Sequence, residues 1–138
     1  MAIAIIAMAQ FGIREMAHIA PRYGTGAKVP PQISAARARH ILYGDGRGGG
    51  HLHGENNPCK SEFPAGWTGP MILAIISRDA ANDNLDWRHE SNGNDVAEVT
   101  EDGVKIRIVV NARHDEVITA YPVNTPRNPC PAANDNGD

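Results

Sequence analysis

Residues 104–123 read VKIRIVVNARHDEVITAYPV, and this stretch decides the fold class. Apolar and polar residues alternate in its first half, which is typical of a β-strand with one buried face. That face carries Val104, Ile106, Ile108 and Val110. After a turn, a second alternating run places Val117, Thr119 and Tyr121 on one face, opposite Ile118 and Ala120. Two such runs joined by a short turn predict an antiparallel pair of strands.

Similar alternation extends this sheet toward the N-terminus. We predict strands near 86–90, 96–100, 104–111 and 116–123, with turns at Asn92-Gly93, Asp102-Gly103 and 111–115 between them. Short connections between successive strands predict an antiparallel meander. With helices packed on one side of it, the chain would have an α+β fold.

Three helices are predicted before the strands. Apolar residues among alanines indicate one helix over residues 2–20, which ends at Pro21. Ser34 is placed to cap a short helix that runs through Leu42. Thr68-Gly69-Pro70 opens another, with proline near its first position. The predicted organisation is an N-terminal helix and linker at 1–34, a folded domain at 35–125 and a flexible tail at 126–138.

The charge of the chain is unevenly distributed. The 138 residues carry a formal net charge of −3, with 41% hydrophobic and 21% charged residues, which excludes a fully disordered chain and a uniformly basic nucleic-acid binder. Residues 21–60, however, contain six Lys or Arg and only two acids. An anionic ligand should therefore meet that stretch. No apolar run approaches the roughly 20 residues that span a bilayer, so no membrane partner is expected.

The chain has two cysteines, Cys59 and Cys130, and therefore at most one disulfide. Both follow Asn-Pro, but nothing in the sequence requires them to pair. We expect two free thiols.

A long glycine-rich loop occupies residues 44–58, with six glycines in the eleven positions 44–54. Loops longer than about 12 residues in a compact domain are usually functional or disordered. This one contains His51 and His53 and is flanked by His40 and Lys60, which argues for function.

His40 and His51 are candidates for acid–base chemistry on an RNA phosphodiester. One imidazole can remove the proton of the 2′-hydroxyl while the other protonates the leaving 5′-oxygen. Lys60, with hydroxyls of Thr119 and Tyr121 from the last strand, can stabilise charge on the phosphate oxygens. Glycine amides in the loop can also approach a phosphate closely. Nothing in this scheme requires a metal.

A zinc site is the alternative interpretation of the same loop. His51 and His53, two residues apart, could bind zinc together with Cys59 or Asp45. The second pair of ligands usual in such sites is absent from the sequence, and a glycine loop defines ligand geometry poorly.

Five ordered motifs in residues 37–123 resemble the bacterial EndoU nuclease domain. They are Arg39-His40-Ile41-Leu42-x-Gly44-Asp45, Gly48-Gly49-Gly50-His51, Lys60-Ser61-Glu62-Phe63-Pro64 with Trp67, Asp102-Gly103-Val104-Lys105-Ile106-Arg107, and Ile118-Thr119-Ala120-Tyr121-Pro122. The resemblance implies a barnase/RelE-like architecture and metal-independent endoribonuclease activity without a cofactor. The expected products are 2′,3′-cyclic phosphate and 5′-hydroxyl ends, and RNA, tRNA in particular, is the expected substrate.

The resemblance also implies roles for individual residues. His40 and His51 become the acid–base pair, with the assignment between them open, and Lys60, Thr119 and Tyr121 complete the catalytic set. We expect further substrate contacts from Arg39, Gly49, Gly50, Ser61 and Arg107. Members of this family are often C-terminal toxin domains of polymorphic or contact-dependent systems. A secreted or delivered toxin that acts in the cytoplasm of the target cell, with a cognate immunity protein as partner, is therefore expected.

Two other functions remain open. The chain could be an inactive module of the same fold that binds RNA or an immunity protein, or it could be a zinc-dependent hydrolase. Cleavage of RNA in the presence of EDTA separates the three, since it persists only for a metal-independent enzyme.

Overall fold

The computed structural model describes residues 29–131, which contain two helices followed by a four-stranded sheet. Helix α1 spans Ala35–Leu42 and helix α2 spans Gly69–Ala80. The strands are β1 (Arg88–His89), β2 (Asp95–Glu101), β3 (Val104–Val110) and β4 (Val117–Pro122). The predicted α+β class is confirmed. The helix predicted at residues 2–20 lies outside the described residues.

The sheet is an antiparallel meander in the order β1-β2-β3-β4, as predicted. Three predicted strands agree with the structure to within one residue at each end, whereas the first is reduced to the two residues of β1. Strand β3 is central, and its inward residues Ile106, Ile108 and Val110 are fully buried. The alternation at 104–110 is therefore the pattern of a strand with one face on the core.

Strand β4 corrects the predicted alternation. Val109 pairs with Thr119, but the next residue, Val110, pairs with Val117. Ile118 is therefore an extra residue in β4 between these two pairs. Such a bulge changes which face the preceding residues occupy. Val117 is consequently buried on the core side with Ala120, while Thr119 and Tyr121 stay on the opposite face. The prediction that Val117 shares a face with the other two was wrong.

Both helices begin at the predicted places, each with a side-chain cap, of which the one at Ser34 was predicted. The Ser34 hydroxyl accepts the amide of Arg37, and the Thr68 hydroxyl accepts the amide of Met71. Each cap satisfies an amide that the first helical turn leaves unpaired. The helices then bury aliphatic residues against β3 and β4 in one core: Ile41 and Leu42 from α1, Ile72, Ile76 and Ala80 from α2.

The cysteines are paired, which corrects the expectation of free thiols. A disulfide joins Cys59 to Cys130, 71 residues later in the chain. The sequence carried no signal for it, because the pairing depends on where the fold brings residue 130. Residues 126–131 also differ from the loose tail that was predicted. Their backbone is hydrogen-bonded to the segment at 59–61, through Asn128 to Lys60 and through Cys59 to Pro129. Residues 132–138 lie outside the described part.

No helix within residues 29–131 is long and apolar enough to cross a membrane.

Candidate active site

All five side chains predicted to be catalytic line one cavity of about 200 Å³. The cavity lies where the glycine loop, the C-terminal turn of α1 and the outer face of β4 meet. It is lined by His40, Arg47, Gly49, His51, Lys60, Thr119 and Tyr121. Residues from positions 40 to 121 thus converge on a single small site.

His51 is held rigidly in this cavity. Its backbone bonds to Ile41 on one side and to Phe63 on the other, and the residue is only 5% exposed. Its Nδ1 lies 2.7 Å from the carbonyl oxygen of Ser61. A carbonyl oxygen only accepts, so Nδ1 carries the proton, and the neutral ring has its basic lone pair on Nε2. The ring stacks on Tyr121 with centroids 5.4 Å apart.

His40 has a different partner. It lies in the last turn of α1, its side chain is 15% exposed, and its Nδ1 is 3.1 Å from Oδ1 of Asp45. The Arg47 amide and the His40 ring, in that order, lower the pKa of the Asp45 carboxyl. Asp45 is therefore an anion at neutral pH and accepts a hydrogen bond from Nδ1–H of the imidazole beside it. The two histidines thus have different partners, a carboxylate for His40 and a backbone carbonyl for His51.

The glycines let the loop pass directly over α1. Gly49 has φ +77°, and a Cβ there would lie 2.0 Å from the His40 carbonyl oxygen. The amide of Gly50 donates to that same oxygen at 2.9 Å. This amide is used inside the fold and Gly50 is buried, so Gly50 positions His40 and His51, while its contact with substrate stays a prediction. Gly49 does line the cavity.

Lys60 reaches the cavity from a segment that hydrogen bonds hold in place. Its ammonium group lies beside Gly48, and its carbonyl accepts the Asn128 amide at 2.8 Å. Glu62 accepts the amides of Gly54 and Asn56 and the side chain of Asn128, which closes the loop between His51 and Lys60. Burial of the Glu62 carboxyl acts against its ionisation, but these hydrogen bonds outweigh it and lower the pKa of the group.

The predicted substrate-binding residues fall into two groups. Ser61 and Arg107 line a neighbouring cavity of about 220 Å³, which shares Tyr121 with the first. Arg107 is bound to Glu98, which raises the pKa of the guanidinium further. Arg39 is exposed and lines none of the cavities described here.

Sequence reasoning missed Arg47 as a site residue. It lies in the wall of the cavity that contains both histidines, and its guanidinium forms no hydrogen bond or ion pair with residues 29–131. The sequence did offer one indication of this role, since Arg47 lies between two glycines in a loop that contains two histidines. A cation with glycines on both sides has few local partners and is free to bind an anion.

The residues proposed for a zinc site do not form one. The sulfur of Cys59 is in the disulfide and cannot serve as a thiolate ligand, and His53 is exposed and lies 3.6 Å from Glu62. Within the described range, no three His, Cys, Asp or Glu side chains are placed to hold one ion.

A family model described as bacterial EndoU nuclease matches residues 55–124, about half of the chain. This range contains Lys60, Thr119 and Tyr121, while both histidines of the cavity precede it. No curated protein and no solved structure matches the chain, so the barnase/RelE-like architecture stays a prediction.

Proposed function

Because this chain belongs to the bacterial EndoU nuclease family, we propose that it is an endoribonuclease that cleaves RNA without a metal ion. The observation that carries the proposal is that His40 and His51 line the same cavity. Nδ1 of His40 contacts the Asp45 carboxylate, and Nδ1 of His51 contacts the Ser61 carbonyl oxygen. These partners suit one ring to donate a proton and the other to accept one.

We assign His51 as general base and His40 as general acid. His51 takes the 2′-hydroxyl proton on Nε2, since its Nδ1 already carries one. The 2′-oxygen attacks phosphorus, the bond from phosphorus to the 5′-oxygen breaks, and that oxygen takes a proton from His40. The products are a 2′,3′-cyclic phosphate and a 5′-hydroxyl. The same chemistry excludes DNA as a substrate, because DNA has no 2′-hydroxyl.

Lys60 and Thr119 are assigned to the non-bridging phosphate oxygens. The Lys60 ammonium supplies a positive charge and Thr119 a hydroxyl donor at the wall of the same small cavity. Donors fixed in advance around developing charge are usually the largest single contribution to catalysis. Tyr121 acts on the other side, by holding the His51 ring.

Single-stranded or looped RNA is the proposed substrate class, and tRNA is the member that the family resemblance implies. In-line attack requires the 2′-oxygen, phosphorus and 5′-oxygen to align, and a regular duplex resists that geometry.

We further propose that the protein is a toxin delivered to the cytoplasm of a target cell and neutralised by an immunity protein. The family resemblance supports this role. The Cys59–Cys130 disulfide also supports passage through an oxidising environment, where such bonds form and persist. Expression of the wild type inside bacteria should arrest growth, and the His51→Ala variant should not.

The direct test is to digest total RNA with the protein in excess EDTA and then to sequence the 5′ and 3′ ends of the fragments. Cleavage that leaves 2′,3′-cyclic phosphates supports the proposal. Absence of cleavage would indicate a binding module, and cleavage that chelation abolishes would indicate a metal-dependent hydrolase. An all-DNA oligonucleotide of matched sequence is the negative control.

A further inference from the structure

A second, larger cavity opens directly from the catalytic one. Its volume is about 650 Å³, and it shares His40, Arg47 and Thr119 with the catalytic cavity. The catalytic cavity, at about 200 Å³, has room for a phosphate and part of a ribose but not for a whole nucleotide. The larger cavity is within the range of roughly 300–1,000 Å³ that is usual for small-molecule sites. A chain bound at the histidines would therefore continue into it.

The walls of this cavity suit a nucleotide. Arg37 and Arg47 provide two guanidinium groups for phosphate, and Ala36 and Ile118 provide apolar surface for a base. Between them lies Glu116, whose carboxylate is 3.5 Å from Nε of Arg37. These two side chains are 34% and 41% exposed, so both can bind a ligand without losing contact with each other. A carboxylate accepts hydrogen bonds from the amino groups of bases, whereas a guanidinium binds phosphate.

The two histidines give the bound RNA a direction. His40 lines both cavities, whereas His51 lines only the catalytic one. If His40 protonates the 5′-oxygen that leaves, the nucleotide attached to that oxygen must lie on the side of His40. The nucleotide that supplies the 2′-hydroxyl then lies on the side of His51 and Tyr121, toward the cavity that contains Arg107.

We infer that the cavity of Arg37, Arg47 and Glu116 is the subsite for the nucleotide immediately 3′ of the scissile phosphate. Glu116 contacts its base, and the two arginines contact its phosphates. The inference rests on the ribonuclease activity and on the acid–base assignment proposed above, and it adds the polarity of the substrate and the residues that select the base on one side of the cut.

The test is to sequence both ends produced from total RNA by the wild type, Glu116→Gln and Arg37→Gln. Glu116→Gln keeps the size of the side chain and should change the base frequencies at the first position 3′ of the cut by about 5- to 100-fold, with the 5′ side unchanged. Arg37→Gln should lower cleavage at all sites and reduce the slope of its salt dependence by about one. Arg88→Gln is the matched control and should behave as the wild type, because Arg88 lies on β1, at the opposite edge of the sheet from β4.

Each other outcome has a definite meaning. A change in base frequencies confined to the 5′ side would overturn the polarity, and unchanged frequencies on both sides in Glu116→Gln would overturn the subsite. If the wild type cuts no RNA, the proposed function itself fails, which is distinct from either result.

Discussion

Oδ1 of Asp45 lies 3.1 Å from Nδ1 of His40, and the same oxygen accepts the amide of Arg47 at 2.8 Å. The carboxylate thus contacts the imidazole and a backbone amide of its own loop at the same time. Its lowered pKa keeps it charged across the neutral range. Asp45 is therefore a positioning residue for His40, the proposed general acid.

Removal of this charge should impair proton donation. Asp45→Asn keeps the shape and an acceptor oxygen but removes the negative charge beside Nδ1 of His40. Because a charged acceptor is replaced by a neutral one, we expect kcat/KM for RNA to fall roughly 10- to 100-fold. Single-turnover cleavage rates measure this loss, and thermal melts check that the variant is folded. Asp86→Asn, at an exposed position, is the control.

His40 and His51 should both be essential for RNA cleavage, whereas His53 should not. His40→Ala and His51→Ala should each lower RNA cleavage by about 10²–10⁴-fold, the usual contribution of an acid–base group. His53→Ala should matter much less, since the side chain is 56% exposed and pairs with Glu62 outside the cavity. Equal losses in His53→Ala and His51→Ala would contradict the assignment. Circular dichroism and thermal melts check that each variant is folded.

Gly49 should not tolerate a side chain. Gly49→Ala would place Cβ against the His40 carbonyl oxygen at a positive φ, and we expect about 2–4 kcal/mol of destabilisation together with loss of cleavage. Gly46→Ala lies in the same loop with open space around its Cβ and no positive φ. Its free energy of unfolding should stay within about 0.5 kcal/mol of the wild type. Denaturant titration of the two variants measures the contrast, and equal stabilities would argue against the close approach.

Reduction of the disulfide should destabilise the fold. The bond closes a loop between residues 71 positions apart, and the chain-entropy model gives about 4 kcal/mol for a loop of this length. The midpoint of urea unfolding should therefore fall when dithiothreitol is added. The double variant Cys59→Ser/Cys130→Ser should match the reduced wild type and should not respond to the reductant. Identical midpoints for oxidised and reduced wild type would show that residues 126–131 are held by other contacts.

Asp79 should make stability depend on pH. Burial, followed by hydrogen bonding and charge from Glu101, raises the pKa of the Asp79 carboxyl to about 6. Because folding raises this pKa, the stabilisation is fully present below about pH 3.8 and is lost as the pH rises through about 6. Asp79→Asn should therefore be more stable than the wild type at pH 7.5, with the difference shrinking below pH 5. The exposed Asp83→Asn should show no such trend in parallel melts at both pH values.

Much of the fold could be predicted because its signals are local. Ser34 and Thr68 cap helices through amides only three residues away, and the alternation of β3 repeats every second residue. The bulge at Ile118 was not predictable, since it appears only when β4 is paired against β3. Two-residue periodicity in one strand contains no information about an extra residue opposite its neighbour.

Local patterns were enough to predict the Ser34 cap, the alternating strands and the candidate acid–base residues His40, His51 and Lys60. The folded chain was needed to show that these side chains meet Thr119 and Tyr121 in one cavity, that Cys59 pairs with Cys130, and that Arg47 lines the cavity wall. The reason is physical. Propensities, caps and periodicity act over a few residues, whereas a cavity and a disulfide depend on the distance between segments that the chain brings together only when the core forms.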